Sequence, residues 1–184
     1  MTRYRYYAAA TLDGFIADEH DDLDWLLSQE VDHTPGSPGL YDDFIAGIGV
    51  VVMGATTYAF IGDQLRASGE SWPYKQPCFV FTRRSFKALG KDIAFVAGAP
   101  AEHREALESA AAERDVWLVG GGGLAVEFAE AGMLDEVLVN IAPVTLGTGR
   151  PLFPRPFDLR LRDVGRSGAF AYLTYDVVGP RPGG

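Results

Sequence analysis

The residue run with the clearest chemical meaning is Gly120-Gly121-Gly122-Gly123, between an apolar segment and a helix-forming segment. Glycine allows a positive φ and close approach of the backbone to a ligand, and the start of the next helix offers unpaired N–H groups. The run also matches a dinucleotide-binding pattern that ends at Ala125, but a Rossmann fold needs an acidic residue about 20 positions further on. Val139-Asn140-Ile141-Ala142 stands there instead. We therefore predict a phosphate site that is not of the Rossmann type, with a plain tight turn as the alternative.

Two other short segments have the composition of ligand-binding turns. Gly54-Ala55-Thr56-Thr57 follows an apolar stretch and carries hydroxyl groups where a helix should start. Thr82-Arg83-Arg84-Ser85 places two guanidinium groups among hydroxyls. Taken singly, an ordinary helix N-cap and a solvated loop would explain them. Ligands of open α/β sheets bind at the carboxyl ends of parallel strands, where all three turns would meet, so we predict one ligand site built from the three.

The remaining reactive side chains do not form a recognisable catalytic group. The three histidines are far apart and lack paired ligand spacing, so we predict no metal site. Cys78 lies inside an apolar stretch, which favours core packing over a reactive thiolate. Asp13 precedes Gly14 in a turn, and Asp42 is expected on the solvated face of a helix. These two carboxylates are the candidate proton donors.

The composition limits the class of protein. The chain has 184 residues, of which 47% are hydrophobic, so it can form one domain with a full core and is not wholly disordered. A net charge of −9 argues against a protein that tracks nucleic-acid phosphates. No apolar run is long enough to span a bilayer, and one cysteine fits a reducing compartment. We predict a cytoplasmic domain that binds neither nucleic acid nor membrane.

Hydrophobic patterning predicts strands that alternate with helices, which indicates a single α/β domain with a mostly parallel sheet. Strands are predicted over residues 4–12, 50–53, 77–81, 93–96, 116–119 and 136–142, and helices over 40–48, 101–114 and 124–131. A short helix is predicted near Thr56 or Thr57, with a polar loop over 62–76. Strands over 158–166 and 169–178 predict a C-terminal antiparallel hairpin. The domain would span 1–178, with a disordered tail over 179–184.

In this order, the motifs resemble those of the dihydrofolate reductase superfamily. The resemblance is closest to the reductase branch that includes the C-terminal domain of the riboflavin-pathway deaminase-reductase. It covers nearly the whole chain, through segments 11–17, 51–58, 117–124, 134–137 and 143–153, which include Asp13-Gly14, Met53-Gly54 and Pro151-Leu152-Phe153. The series of motifs carries the resemblance, because no single one is specific.

The resemblance implies a three-layer domain with an eight-stranded, mostly parallel sheet and NADPH laid across its carboxyl edge. It also implies a cis peptide between Gly120 and Gly121 and a homodimer. Trp25, Tyr41 and Phe44 would line the substrate cavity. The implied cofactor-binding residues are Ala9, Ile16, Gly54, Thr56, Thr57, Thr82, Arg83, Arg84, Gly120, Gly121, Gly122, Gly123, Leu124 and Ala125.

The substrate half departs from both parent enzymes. The pterin-anchoring carboxylate of dihydrofolate reductases would fall near Pro38, where no acid stands. In the riboflavin branch, a Lys usually occupies the position of Phe15, and a Glu that of Val119. The resemblance implies an NADPH-dependent reductase that transfers hydride to a C=N or C=O bond of a small heterocycle. The nearest chemistry is reduction of 5-amino-6-(5-phosphoribosylamino)uracil; the alternatives are a dihydropterin or dihydrofolate reductase and a non-catalytic NADPH-binding sensor.

Overall fold

The computed structural model describes residues 1–30 and 41–183, and their main feature is one eight-stranded sheet. In chain order the strands are β1 (Tyr4–Thr11), β2 (Phe15–Ala17), β3 (Ile48–Gly54), β4 (Cys78–Phe81), β5 (Ile93–Val96), β6 (Asp115–Val119), β7 (Glu136–Ala142), β8 (Arg150–Pro151), β9 (Phe157–Ser167) and β10 (Phe170–Pro180). The large sheet has the order β5-β4-β3-β6-β1-β7-β10-β9, and β2 pairs with β8. The first six of these strands are parallel and the β9–β10 hairpin is antiparallel, which confirms the predicted fold class.

Helices pack on both faces of the sheet and complete the three layers. They are α1 (Asp24–Leu27), α2 (Tyr41–Ala46), α3 (Ala55–Ser68), α4 (Arg104–Ala111) and α5 (Gly122–Glu130), with a 3₁₀ turn over Pro100–His103. On one face, Tyr4 and Tyr6 of β1 share a core with Leu107 of α4 and Phe128 of α5. On the other face, Met53 of β3 shares a second core with residues of α2 and α3. This packing holds the carboxyl ends of β1, β3 and β6 close together.

The third helix differs from its prediction. The sequence predicts a short helix followed by a polar loop from Gly62, but α3 continues to Ser68. Gly62 does not break the helix, because it is a buried contact point at which a Cβ atom would lie only 3.0 Å from Leu89 Cδ1. The helix ends where Gly69 takes a left-handed conformation, with φ +75°. At its start, Gly54 occupies the N-cap position, so Thr56 and Thr57 lie in the first turn and are not caps.

Other boundaries move by a few residues. The helix predicted over 101–114 consists of the 3₁₀ turn and α4, which ends at Ala111 because Ala112 is left-handed. The helix after the glycine run starts at Gly122, so half of the run is helical. The last strand continues to Pro180. Residues 179 and 180, which were predicted to belong to the disordered tail, therefore pair with β9.

A buried glutamate side chain links neighbouring strands at the edge of the sheet where the parallel strands begin. Glu136, at the start of β7, is fully buried, and three arginines surround it. Arg5 Nε donates a hydrogen bond to it from the neighbouring strand, Arg162 Nη1 lies 2.8 Å from its Oε1, and Arg3 Nη2 lies 3.3 Å from the same oxygen. Asp176 shares Arg162 at 3.0 Å. This network connects β1, β7, β9 and β10, and it pairs the buried charge of Glu136.

Candidate functional site

A cavity of about 870 Å³ opens at the carboxyl edge of the sheet. This volume lies within the range of about 300–1,000 Å³ that is typical of small-molecule sites. Most of the predicted cofactor-binding residues line it: Ala9, Ile16, Gly54, Thr56, Thr57, Gly120, Gly121, Gly122, Gly123 and Leu124. Ala125 does not, because its side chain is fully buried in the core between α5 and the sheet. The fold thus brings two of the three predicted turns to one cavity.

The structure explains glycine differently at the four positions of the run. Gly120 has φ +83°, and a Cβ atom there would overlap Thr57 Oγ1. A Cβ atom at Gly122 would overlap the carbonyl of Leu152. Packing therefore requires glycine at both positions. At Gly121 and Gly123, a Cβ atom would meet no atom of the described residues within 4 Å, and both residues border the cavity. Their missing side chains leave open space that a bound ligand could fill.

The predicted cis peptide between Gly120 and Gly121 is wrong. No peptide bond among the described residues is cis. The chain reverses at this point through the left-handed conformation of Gly120, which glycine adopts without the steric cost that a Cβ atom imposes.

Two helices begin at the cavity without side-chain caps. The first is α3, with 14 residues, and the second is α5, with 9 residues; neither has a side-chain hydrogen bond at its N-cap. The first N–H groups of an α-helix have no partner within the helix, and the aligned peptide dipoles make this end positive. Gly54 and Gly121 occupy the two N-cap positions, so no N-cap side chain covers these helix ends. Such ends bind phosphate.

A second cleft, of about 380 Å³, continues from the cavity past the third predicted turn. The two share Gly54, Gly123 and Leu124. Thr82 and Arg83 line the second cleft, together with Phe81, Ala97, Gly98 and Glu127. Arg84 does not line it, because its guanidinium group lies over the ring of Phe86, 4.8 Å from the centroid. The two adjacent arginines therefore have different surroundings.

Aromatic side chains form the wall of the cavity over β1 and β6. Tyr7 and Trp117 line it, and Phe44, which is outside the lining, stacks on Tyr7 with ring centroids 4.5 Å apart. Tyr41 meets Trp117 edge-on at 5.7 Å. The predicted substrate residues Tyr41 and Phe44 therefore support the lining residues and do not line the cavity themselves. Trp25 is buried against Phe170 and is also outside the lining.

Neither candidate proton donor borders the cavity. The Asp13 carboxylate accepts hydrogen bonds from Thr11 Oγ1, from Leu146 N at 3.1 Å and from Gly147 N at 2.7 Å. The hydrogen bond from Thr11, followed by those from the backbone, holds the pKa of Asp13 below its ordinary value. This carboxylate is therefore ionised near neutral pH and fastens a loop. Asp42 is exposed in the first turn of α2, and the position near Pro38 lies outside the described residues.

Asn140, Arg150 and Asp21 are among the polar lining residues that sequence reasoning missed. Asn140 interrupts the apolar run of β7, which was a visible signal. Arg150 and Asp21 form a bidentate ion pair at the cavity, with Nε–Oδ1 and Nη2–Oδ2 distances of 2.6 and 3.2 Å. This pair ties the acidic loop after β2 to β8. No local pattern could reveal it, because the partners are 129 positions apart in the chain.

The order of strands, the glycine turn and the cavity can be compared with known proteins. The RibD C-terminal domain family matches residues 5–168. The chain belongs to this family. Among curated proteins, YwjB of Bacillus subtilis strain 168 is 28% identical over 173 residues, which covers 92% of this chain and 94% of YwjB. Its name describes it as uncharacterized.

Solved structures show the same fold as this chain. A candidate riboflavin biosynthesis protein from Shewanella sp. PV-4 has a TM-score of 0.76 at 23% identity, covering 95% of this chain and 98% of that one. A diaminohydroxyphosphoribosylaminopyrimidine deaminase/5-amino-6-(5-phosphoribosylamino)uracil reductase from Thermotoga maritima has a TM-score of 0.62 at 18% identity. The match covers 96% of this chain and 56% of the Thermotoga protein. Among the described residues, no helix is long and apolar enough to cross a membrane.

Proposed function

We propose that this member of the RibD C-terminal domain family is an NADPH-dependent reductase that transfers hydride to a C=N or C=O bond of a small heterocycle. The observation that carries the proposal is the open space beside Gly121 and Gly123, in front of two uncapped helix starts. A dinucleotide has a pyrophosphate that needs both a close backbone and N–H donors. The family membership supports the same chemistry at the level of a riboflavin-pathway reductase-like function.

The cavity has groups that fit each part of the cofactor. The N–H groups at the start of α5 would bind the pyrophosphate, and Thr56 and Thr57 would donate hydroxyl hydrogen bonds to it. Ala9 and Ile16 would flank the nicotinamide, since small and apolar side chains leave room for a flat ring. The bound cofactor would supply the hydride, while the protein contributes orientation and the exclusion of water.

Arg83 favours NADPH over NADH as the cofactor. It lines the second cleft, where the adenosine end would lie, and a guanidinium group can bind a 2′-phosphate through two charge-assisted hydrogen bonds. Glu127 lines the same cleft and would repel that phosphate or accept a hydrogen bond from a ribose hydroxyl. The balance between these two side chains sets the preference. We expect Arg83 to dominate, because a guanidinium group can follow the phosphate on a long, flexible side chain.

The substrate would lie against Tyr7, Trp117 and Val119. Val119 is apolar where the riboflavin branch has an acid, so a ribityl or ribosyl hydroxyl would lack that acceptor. Among the described lining residues, Arg150 is the only cation, and Asp21 already pairs with it. A substrate phosphate would have to compete with that carboxylate. Reduction of 5-amino-6-(5-phosphoribosylamino)uracil is the nearest named reaction, and substrates without the phosphate belong in the same test.

The decisive experiment is NADPH oxidation by the purified protein with a panel of pyrimidines, pterins and flavin precursors, each with and without phosphate. We expect turnover with a pyrimidine or related heterocycle and little with dihydrofolate, because no acid stands near Pro38 to pair with the pterin. Tight NADPH binding without turnover on any compound would favour the non-catalytic sensor. Rapid turnover of dihydrofolate would favour the dihydropterin reductase. The homodimer and the cytoplasmic location also remain predictions, to be checked by sedimentation and by fractionation of cells.

A further inference from the structure

Hydride addition to a C=N or C=O bond also requires a proton at the nitrogen or oxygen. Three ionisable side chains border the cavity among the described residues: Tyr7, Asp21 and Arg150. Asp21 and Arg150 are charged partners in one ion pair, so neither carries a proton that is ready to leave. Of these three described side chains, the phenol of Tyr7 is the remaining acid. Tyr7 is half-buried in the aromatic wall, beside the place predicted for the reacting ring.

The ring of Tyr7 is held in a fixed orientation. Phe44 stacks on it with an interplanar angle of 20°, and Trp117 meets it edge-on with centroids 6.2 Å apart. The indole Nε1 of Trp117 in turn donates a hydrogen bond to the backbone oxygen of Tyr7, at 3.2 Å. The Tyr7 ring is packed on two sides, and one of its two neighbours, Trp117, is itself hydrogen-bonded to the Tyr7 backbone. The ring cannot leave the wall without breaking these contacts. Fixed geometry of this kind is what proton transfer needs.

Asn140 fixes the phenolic oxygen itself. Its Nδ2 donates a hydrogen bond to Tyr7 Oη at 2.9 Å. Because Oη accepts this bond, the phenolic hydrogen points away from Asn140. The register of β1 and β7 places Asn140 directly beside Ala9, the position predicted to flank the nicotinamide. Asn140 Oδ1 is buried and has no hydrogen-bond partner among the described residues. A polar residue in an apolar strand, bonded to one phenol and otherwise unsatisfied, indicates a functional role.

We propose that Tyr7 is the proton donor of the reduction and that Asn140 is its positioning residue. The proposal rests on the reductase function proposed above. As hydride from the reduced nicotinamide adds to the carbon of the C=N or C=O bond, the π electron pair moves to the nitrogen or oxygen. The O–H bond of Tyr7 breaks while the new N–H or O–H bond forms. The resulting phenolate accepts the Asn140 hydrogen bond and regains its proton from water.

The surroundings of Tyr7 keep the phenol protonated until it is needed. Burial raises its pKa above the ordinary value, and the nearby phenols of Tyr172 on β10 and Tyr41 on α2 raise it further. The hydrogen bond from Asn140 acts in the opposite direction, because it stabilises the phenolate. Such an acid gives up its proton only to a strongly basic atom, and the substrate nitrogen or oxygen becomes one as hydride arrives. A carboxylic acid with an ordinary pKa would be ionised at pH 7.

The test replaces Tyr7 by Phe, which keeps the ring and removes the hydroxyl. We expect kcat to fall by about 10²- to 10⁴-fold, the usual contribution of a general acid, while the NADPH dissociation constant changes by less than about threefold. Tyr175→Phe is the matched control, because it removes a phenol that packs in the core on the other face of the sheet, outside the cavity lining. Its kcat should stay within about threefold of wild type. Thermal unfolding of each variant checks that it is folded.

Asn140→Leu tests the positioning role with a signal that does not depend on turnover. In protein labelled with ¹³C at tyrosine Cζ, the Tyr7 resonance is identified by its absence in Tyr7→Phe. Loss of the Asn140 hydrogen bond should move the Tyr7 titration to higher pH, whereas a purely structural role would leave its midpoint unchanged. If wild type is active and Tyr7→Phe keeps its full kcat, Tyr7 is not the proton donor, and the reductase proposal still stands. A wild type that neither binds NADPH nor reduces any heterocycle overturns the reductase proposal and the acid with it.

Discussion

Gly120 and Thr57 are packed so closely that a single added methyl group at Gly120 would overlap the threonine hydroxyl. The contact joins the turn before α5 to the first turn of α3, which are 63 positions apart in the sequence. Both helix starts therefore sit at a fixed separation in front of the cavity. Such a pair of helix starts can donate N–H groups to the phosphates of the proposed cofactor.

The glycine run allows binding to be separated from stability. Gly121→Ala adds a Cβ atom in the open space beside the cavity, at a residue with φ −57°. We expect the unfolding free energy to change by no more than about 1 kcal/mol, because only the N-cap preference is altered. NADPH affinity should fall at least about tenfold, equivalent to about 1.4 kcal/mol, because the methyl group occupies the ligand's space. Urea unfolding and calorimetric titration measure the two effects.

Gly120→Ala is the matched control with the opposite expectation. Its backbone is left-handed, and the new methyl group would meet Thr57. The left-handed conformation alone should cost roughly 1–2 kcal/mol of stability, and the overlap adds to it. A Gly121→Ala variant that unfolds as easily as Gly120→Ala, or that binds NADPH as tightly as wild type, would argue that the open space is not the cofactor site.

The sequence was sufficient to find the glycine run, but it could not show which of the four glycines packing requires and which border open space. Composition marks all four residues alike, whereas the roles of Gly120 and Gly122 depend on Thr57 and Leu152, which are distant in the chain. The same limit explains the error at Gly62, where glycine usually indicates a helix break. Here a small residue is needed because Leu89, on a different segment, packs closely against this position.

The approximate positions of the eight strands of the large sheet were predictable because hydrophobic runs and turn residues are local signals, whereas the short strands β2 and β8 were missed. The lining of the cavity was less predictable. Arg83 and Arg84 are the same residue type and are adjacent in the chain, yet Arg83 lines the cleft and Arg84 lies over Phe86. Tyr41 and Phe44 were expected in the lining, but they pack against the rings of Tyr7 and Trp117, which line the cavity instead. Which side chain is in front depends on packing that spans the sheet.

Asp13→Asn should show a pH-dependent loss of stability. The ionised carboxylate accepts hydrogen bonds from Thr11 and from the loop at Leu146 and Gly147, and they lower its folded pKa. A lowered folded pKa stabilises the protein above the ordinary value of 3.8, and this stabilisation is lost as the pH falls through the folded pKa. Wild type should therefore exceed Asp13→Asn in unfolding free energy at pH 7, and the two should converge in acid. A difference that is constant with pH would speak against this role.

Glu136→Gln tests the network at the opposite edge of the sheet. Three arginines face this buried carboxylate, and the neutral amide would leave them without their shared countercharge. Breaking a buried ion pair costs about 3–5 kcal/mol, and we expect the lower end because the arginines are partly exposed. Urea unfolding at low and high salt measures the loss. NADPH affinity should not change, because the residue lies at the far end of β7 from the cavity.

Arg83→Ala should weaken NADPH binding by roughly 10- to 100-fold, the equivalent of one or two charge-assisted hydrogen bonds. NADH binding should be almost unaffected, because NADH lacks the 2′-phosphate. Arg84→Ala serves as the control, since its guanidinium group lies over Phe86 outside the cleft. Glu127→Gln should improve NADPH binding by removing a like charge. Competitive titration of both cofactors against the four proteins gives the comparison, and equal wild-type affinities for NADH and NADPH would remove Arg83 from the site.

A crystal structure of the protein grown with saturating NADPH tests the central claim most directly. We predict density for the pyrophosphate within hydrogen-bonding distance of the first N–H groups of α5, over the open faces of Gly121 and Gly123. The nicotinamide should lie beside Ala9, and the 2′-phosphate should contact Arg83. Density for the cofactor outside this cavity, or crystals that stay free of cofactor at saturating concentration, would contradict the account.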